Sequence, residues 1–104
     1  MPVILVKFDE PILDASGSMY FAQAAGRQRP DGLWEGWLEF IPEEATGRAV
    51  SSERETTQPK RTDLEYWAQG LTRVYLQGAL NRAAATTEST IRDRSAIKEG
   101  PRAL

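Results

Sequence analysis

The 104 residues contain no cysteine and no histidine. These absences exclude disulfide staples, thiolate nucleophiles, imidazole bases and the commonest zinc sites. No apolar run approaches the roughly 18 residues that a membrane span needs. The opening Met1-Pro2-Val3-Ile4-Leu5-Val6 lacks a basic n-region, and Lys7, Asp9 and Glu10 cut its apolar stretch too short for a secretory signal. A cytoplasmic location is therefore expected. A dominant charge is missing as well. Thirteen Lys and Arg against fifteen Asp and Glu leave −2, which exerts no global pull on nucleic acid or an anionic membrane.

What is present describes a small folded domain. Hydrophobic residues make up 40% and charged residues 27%, the balance of a soluble globular chain. Charge is unevenly placed. Residues 1–58 hold five basic and ten acidic side chains, a balance of −5, whereas 59–104 hold eight basic and five acidic, a balance of +3. Such asymmetry suits self-complementary packing or head-to-tail association.

Residues 3–8 read as a buried strand, β-branched at Val3, Ile4 and Val6 and stopped by Asp9-Glu10-Pro11. Residues 12–18 read as a loop, because Asp14-Ala15-Ser16-Gly17-Ser18 is turn chemistry. The clearest local signal is Arg29-Pro30-Asp31-Gly32 between the alternating stretches 19–28 and 33–41. Proline presets φ, aspartate bonds back to the backbone and glycine accepts positive φ, so these residues predict a β-hairpin. The period of two places Trp34, Gly36, Leu38 and Phe40 on one face and Glu35, Trp37, Glu39 and Ile41 on the other. Residues 49–57, rich in Thr and poor in large apolar groups, predict a third strand at a sheet edge.

Thr62-Asp63-Leu64-Glu65 has the pattern of a capping box and predicts a helix start. Leu64, Trp67, Ala68, Leu71, Val74, Tyr75, Ala79, Leu80 and Ala83 follow in a helical stripe. Gly70 and Gly78 interrupt it, which leaves two readings. Either one continuous helix uses its glycines for close approach, which is the favoured reading, or the helix breaks at Gly70 and restarts with Thr72 as N-cap. Residues 85–104 read as a polar tail or as a short helix capped by Ser89 or Thr90. The expected architecture is a single α+β domain over residues 1–84. A small antiparallel sheet of three to four strands, the hairpin plus a third strand, packs against one long C-terminal helix. In it, Trp34, Leu38 and Phe40 would meet Leu64, Trp67, Leu71 and Tyr75.

Sites of chemistry are sparse. Glu35 and Glu39 share a face about 13 Å apart by strand rise, too far for either glycosidase geometry. Arg27, Arg29 or Arg54 on neighbouring strands would pair with them. No Gly-rich phosphate loop and no calcium loop occurs. No catalytic residue, cofactor, metal or small-molecule ligand is therefore expected. Trp37, held between carboxylates on the face opposite the apolar one, needs a cover, which is the C-terminal segment, another chain or a small ligand; in the second case it is the contact anchor. The candidate interaction surface comprises Trp37, Glu35, Glu39, Arg27 and Arg54, with Gly70 and Gly78 marking a helix surface. The expected partner is a protein, including a second copy of this chain, and the role that of a non-catalytic regulatory module forming a homo-oligomer. Neither nucleic acid nor a membrane is favoured.

The segments Gly32-Leu33-Trp34-Glu35-Gly36-Trp37-Leu38-Glu39-Phe40, Arg54-Glu55-Thr56-Thr57-Gln58-Pro59 and 63–72, with 75–80, resemble short bacterial proteins. That resemblance implies no activity. The order hairpin, third strand, helix is similar to HicB-like antitoxin domains and, with a different helix arrangement, to double-stranded-RNA-binding domains. Neither family's sequence motif is present. This architectural likeness implies a second function class, a nucleic-acid-linked regulator.

Overall fold

A computed structural model of the chain describes residues 1–85. Six strands and two helices follow in chain order: β1 (Val3–Lys7), β2 (Ile12–Leu13), β3 (Met19–Gln28), β4 (Trp34–Pro42), β5 (Val50–Ser51), β6 (Thr56–Gln58), α1 (Arg61–Gln69) and α2 (73–85). The strands form one antiparallel sheet. β1 and β2 both pair with β3, β3 pairs with β4, and β5 and β6 both pair with β4, which gives four strand positions. The fold is α+β, with both helices on one side.

The hairpin forms for the reasons its turn residues supply. The Gly32 N–H donates to the Arg29 carbonyl at 3.0 Å, the Arg29 N–H donates to the Leu33 carbonyl at 2.7 Å, and Gly32 takes φ +90°. The Asp31 carboxylate accepts from the Leu33 N–H at 3.1 Å. This is a type I turn closed by a left-handed glycine. A second, shorter hairpin joins β2 to β3, where a loop was expected. The Asp14 carboxylate accepts from the N–H groups of Ser16 and Ser18, both at 2.9 Å, and Gly17 takes φ +89°. The Ser16 hydroxyl, donating to the same oxygen, is the main reason that the Asp14 carboxyl sits below its ordinary 3.8. Turn chemistry was legible there, but the paired flank was not. Ile12 is among the most deeply buried side chains.

The core lies between the sheet and the helices. Leu38 and Phe40 of β4 and Ala22 and Ala24 of β3 pack with Ile12, Ala68, Leu76, Ala79 and Leu80. A bulge between Ile4 and Val6 turns both Leu5 and Val6 towards this core. Small residues set how near α1 can come. Gly26 and Gly36 are cross-strand partners. A Cβ at Gly26 would lie 2.5 Å from Leu64 Cδ2, and one at Gly36 would lie 2.8 Å from Leu64 Cδ1 and from Trp67 Cζ3. The two bare backbones seat the Leu64 side chain.

Three helix expectations are corrected. The helix is not continuous: α1 ends at Gly70, whose N–H donates to the carbonyls of Tyr66 and Trp67, and α2 follows. Thr72 starts the new helix, its hydroxyl accepting from the Tyr75 N–H at 3.2 Å. Thr62 is not an N-cap, because α1 begins at Arg61 after extended Lys60 (φ −134°, ψ 156°), with no side-chain cap. The break also shifts the phase of the buried stripe. Leu76, Ala79, Leu80 and Ala83 face inward, whereas Val74 is 82% exposed and Tyr75 is not a core residue. Trp34 is only half-buried, with the Arg61 guanidinium 5.8 Å from its ring centroid, and does not join the core cluster. The expectation for the C-terminal tail from residue 86 onward lies outside the described residues.

Candidate functional site

With both helices on one side of the sheet, the side chains directed to the other side meet no further layer among the described residues. Register defines that face row by row. Arg27 lies opposite Glu35, Ala25 opposite Trp37, Gln23 opposite Glu39 and Phe21 opposite Ile41. β1 adds Ile4 beside Ala25 and Lys7 beside Gln23. β2 adds Leu13 beside Met19, and the far edge adds Ser51 and Thr57 beside Glu39 and Glu35. Ile4, Leu13, Met19, Phe21 and Ile41 are each between 37% and 47% exposed. Five large apolar side chains thus share one uncovered sheet face, a concentration that scattered surface residues do not produce.

Trp37 sits among the polar rows. Its indole N–H donates to Glu39 Oε2 at 3.1 Å, and the Arg27 guanidinium lies 5.7 Å from its ring centroid. The other Glu39 oxygen accepts from the Gln23 amide at 2.8 Å. Arg27 Nε donates to Glu35 Oε2 at 2.7 Å, forming the pair that the cross-strand reading anticipated. Glu39 differs: it takes Gln23 and Trp37 where an arginine was expected. Arg29 pairs with Asp31 of its own turn at 2.9 Å, and Arg54 makes no ion pair among the described residues.

Arg54 nonetheless reaches this face, because the expected strand over 49–57 is interrupted. The Ser52 N–H donates to the Leu38 carbonyl and the Glu55 N–H to the Gly36 carbonyl, both at 2.8 Å, so residues 53 and 54 stand out of the ladder. The Ser52 hydroxyl completes the break by accepting from the Leu38 N–H at 3.0 Å. A shallow depression of about 320 Å³ is lined by Arg27, Glu35, Trp37, Ser51, Ser52 and Arg54. Five of the seven candidate residues, Trp37, Glu35, Glu39, Arg27 and Arg54, therefore gather on or at the rim of one face. Gly70 and Gly78 do not. They belong to the helical layer, where Gly70 caps α1 and a Cβ would meet only that helix's own carbonyls. Glycines that allow close approach do exist, but on the sheet, at positions 26 and 36.

The interruption creates a second cluster that the spacing of the sequence did not reveal. Glu55 turns towards α2, where it accepts from the Tyr75 hydroxyl and from Arg82 Nη2 at 3.0 Å. Its side chain is 10% exposed. The hydrogen bond to Glu55 is the main cause that raises the Tyr75 hydroxyl above its ordinary 10.0, with burial adding to it. Twenty and twenty-seven residues separate these partners. Only the displaced loop brings them together. Beside them lies a depression of about 350 Å³ lined by 51–55, Arg82 and Ala83.

Among the described residues, no three His, Cys, Asp or Glu side chains converge as metal ligands, and no helix is long and apolar enough to cross a membrane. Compared with known proteins, the chain matches no family model, no curated protein and no solved structure.

Proposed function

We propose that the protein is a non-catalytic interaction module of regulatory type, acting in the cytoplasm through the open face of its sheet and associating with itself. The observation that supports this reading is the gathering of Ile4, Leu13, Met19, Phe21 and Ile41 with Trp37 on a face that no described element covers. Tryptophan and arginine at the middle of such a patch are the residue types that dominate protein interfaces. Lys7, Arg27 and Arg54 are offset there by Glu35 and Glu39, which favours a protein surface over a phosphate backbone.

Light scattering after size exclusion tests the reading on the full chain and on Trp37→Ala. The wild type should elute as an oligomer, and the variant should shift towards the monomer at equal concentration. A wild type that stays monomeric, with the variant unchanged in partner capture, overturns it.

A further inference from the structure

We infer that the occupant of the open face is a second copy of this chain, laid face to face about a two-fold axis that runs parallel to β3 and β4 and between them. This inference rests on the reading above and specifies its geometry. Such an axis exchanges β3 with β4 without changing the row. Each β3 side chain then faces the β4 side chain that shares its row, now from the other copy. In the first row Arg27 faces Glu35, in the third Gln23 faces Glu39, and in the fourth Phe21 faces Ile41. Charge meets opposite charge, amide meets carboxylate and apolar meets apolar, with Trp37 held between the polar rows.

The alternative axis, perpendicular to the strands, lays the Phe21–Ile41 end over the Arg27–Glu35 end and sets apolar groups against charges. Of these two axes, the parallel one matches the first, third and fourth rows, while the next row sets Met19 against Glu43 at the margin.

Donors and acceptors suffice for the exchange. Arg27 spends Nε on Glu35 Oε2 within its own chain, and its remaining guanidinium N–H groups and Glu35 Oε1 have no partner among the described residues. Two copies would close an alternating ring of two arginines and two glutamates. Area is small but sufficient. The strands hold 5, 2, 10, 9, 2 and 3 residues, and at about 3.4 by 4.8 Å each they give on the order of 500 Å² per copy. The doubled figure, about 1,000 Å², sits at the lower limit for a specific contact.

A mixing experiment tests the row pairing. Arg27→Glu and Glu35→Arg are made separately, their folding is checked by circular dichroism, and their association is followed by sedimentation or light scattering. Each variant alone sets like charges across the axis and should weaken dimerisation about tenfold or more. An equimolar mixture should recover wild-type association as a heterodimer, because the carboxylate introduced by Arg27→Glu in one chain then faces the guanidinium introduced by Glu35→Arg in the other. Both chains still lack their internal ion pair, so recovery can arise only between copies. The double variant R27E/E35R should dimerise by itself and guards against misfolding of either single variant.

Outcomes separate the two levels of the argument. Association that is lost in Trp37→Ala but not recovered on mixing overturns the axis and leaves the interaction reading standing. Association indifferent to all these substitutions removes the face as the interface. A wild type monomeric at the highest attainable concentration overturns both the axis and self-association, and leaves the face to residues 86–104 or to a different protein.

Discussion

Trp37 and Leu38 are neighbours in β4 that point to opposite sides of one sheet, and the two sides are built by different rules. Leu38 is fully buried against alanines and leucines, on a side where two glycines let a helix sit almost on the backbone. Trp37 is half-buried, hydrogen-bonded to Glu39 and flanked by a guanidinium, on a side whose large apolar groups have nothing above them among the described residues. The helix-covered side is finished by small residues that fit one partner already present. The open side has tall residues and paired charges, the features on which the proposed interaction surface rests.

The contrast predicts unequal costs for adjacent substitutions. Leu38→Ala should lose about 2–5 kcal/mol of folding stability, the range for emptying a fully buried leucine site. Trp37→Ala, measured where the chain is dilute enough to be monomeric, should lose about 1 kcal/mol, mostly its cation–π and packing contacts. Urea denaturation of both variants compares them directly. Equal losses would mean that the open side is a second core.

A finer test concerns the seat of α1. Gly26→Ala should cost about 1–3 kcal/mol by overpacking, since its new methyl meets both Leu64 and the Glu35 carbonyl, at 2.8 Å in the latter case. Part of that cost should disappear in a Leu64→Ala background, and a double-mutant cycle reads the difference. Additive losses would show that Leu64 is not what occupies the glycine hollow.

The smallest effect lies at the edge where the two sides meet. Tyr75 holds its proton more firmly in the fold than in the unfolded chain, because its hydroxyl donates to Glu55. Its contribution is therefore complete below about pH 10, the unfolded value, and declines as pH rises through the folded value. Tyr75→Phe should lose under about 1 kcal/mol at neutral pH, the group being partly exposed. The variant should also show a flatter decline in stability above pH 10. Parallel alkaline profiles for the two proteins would overturn the assignment.

Legibility in the sequence followed the range of the interactions involved. Pro30-Asp31-Gly32 specified its turn through contacts two to four residues apart, so the hairpin and the opposite placement of Trp37 and Leu38 could be read. The capping box at Thr62 failed because the helix starts one residue earlier, at Arg61, with extended Lys60 in the N-cap place and no side-chain cap. Gly70 and Thr72 carried the signal for a break. Yet the apolar spacing also fitted one long helix, and only the burial of Leu76 in place of Tyr75 separates the two. The Glu55–Tyr75–Arg82 cluster was invisible for a plainer reason: it depends on a two-residue excursion in an edge strand, which no local propensity specifies.

The kink in β1 has a consequence for how copies can join. β1 forms one rim of the sheet, and a rim with free backbone groups invites endless strand-by-strand growth into fibres. The irregularity between Ile4 and Val6 puts that ladder out of step, and Lys7 adds a charge at its end. Polymerisation through this rim is thereby discouraged, which is consistent with the proposed pairing through the broad side, an arrangement that would close after two copies.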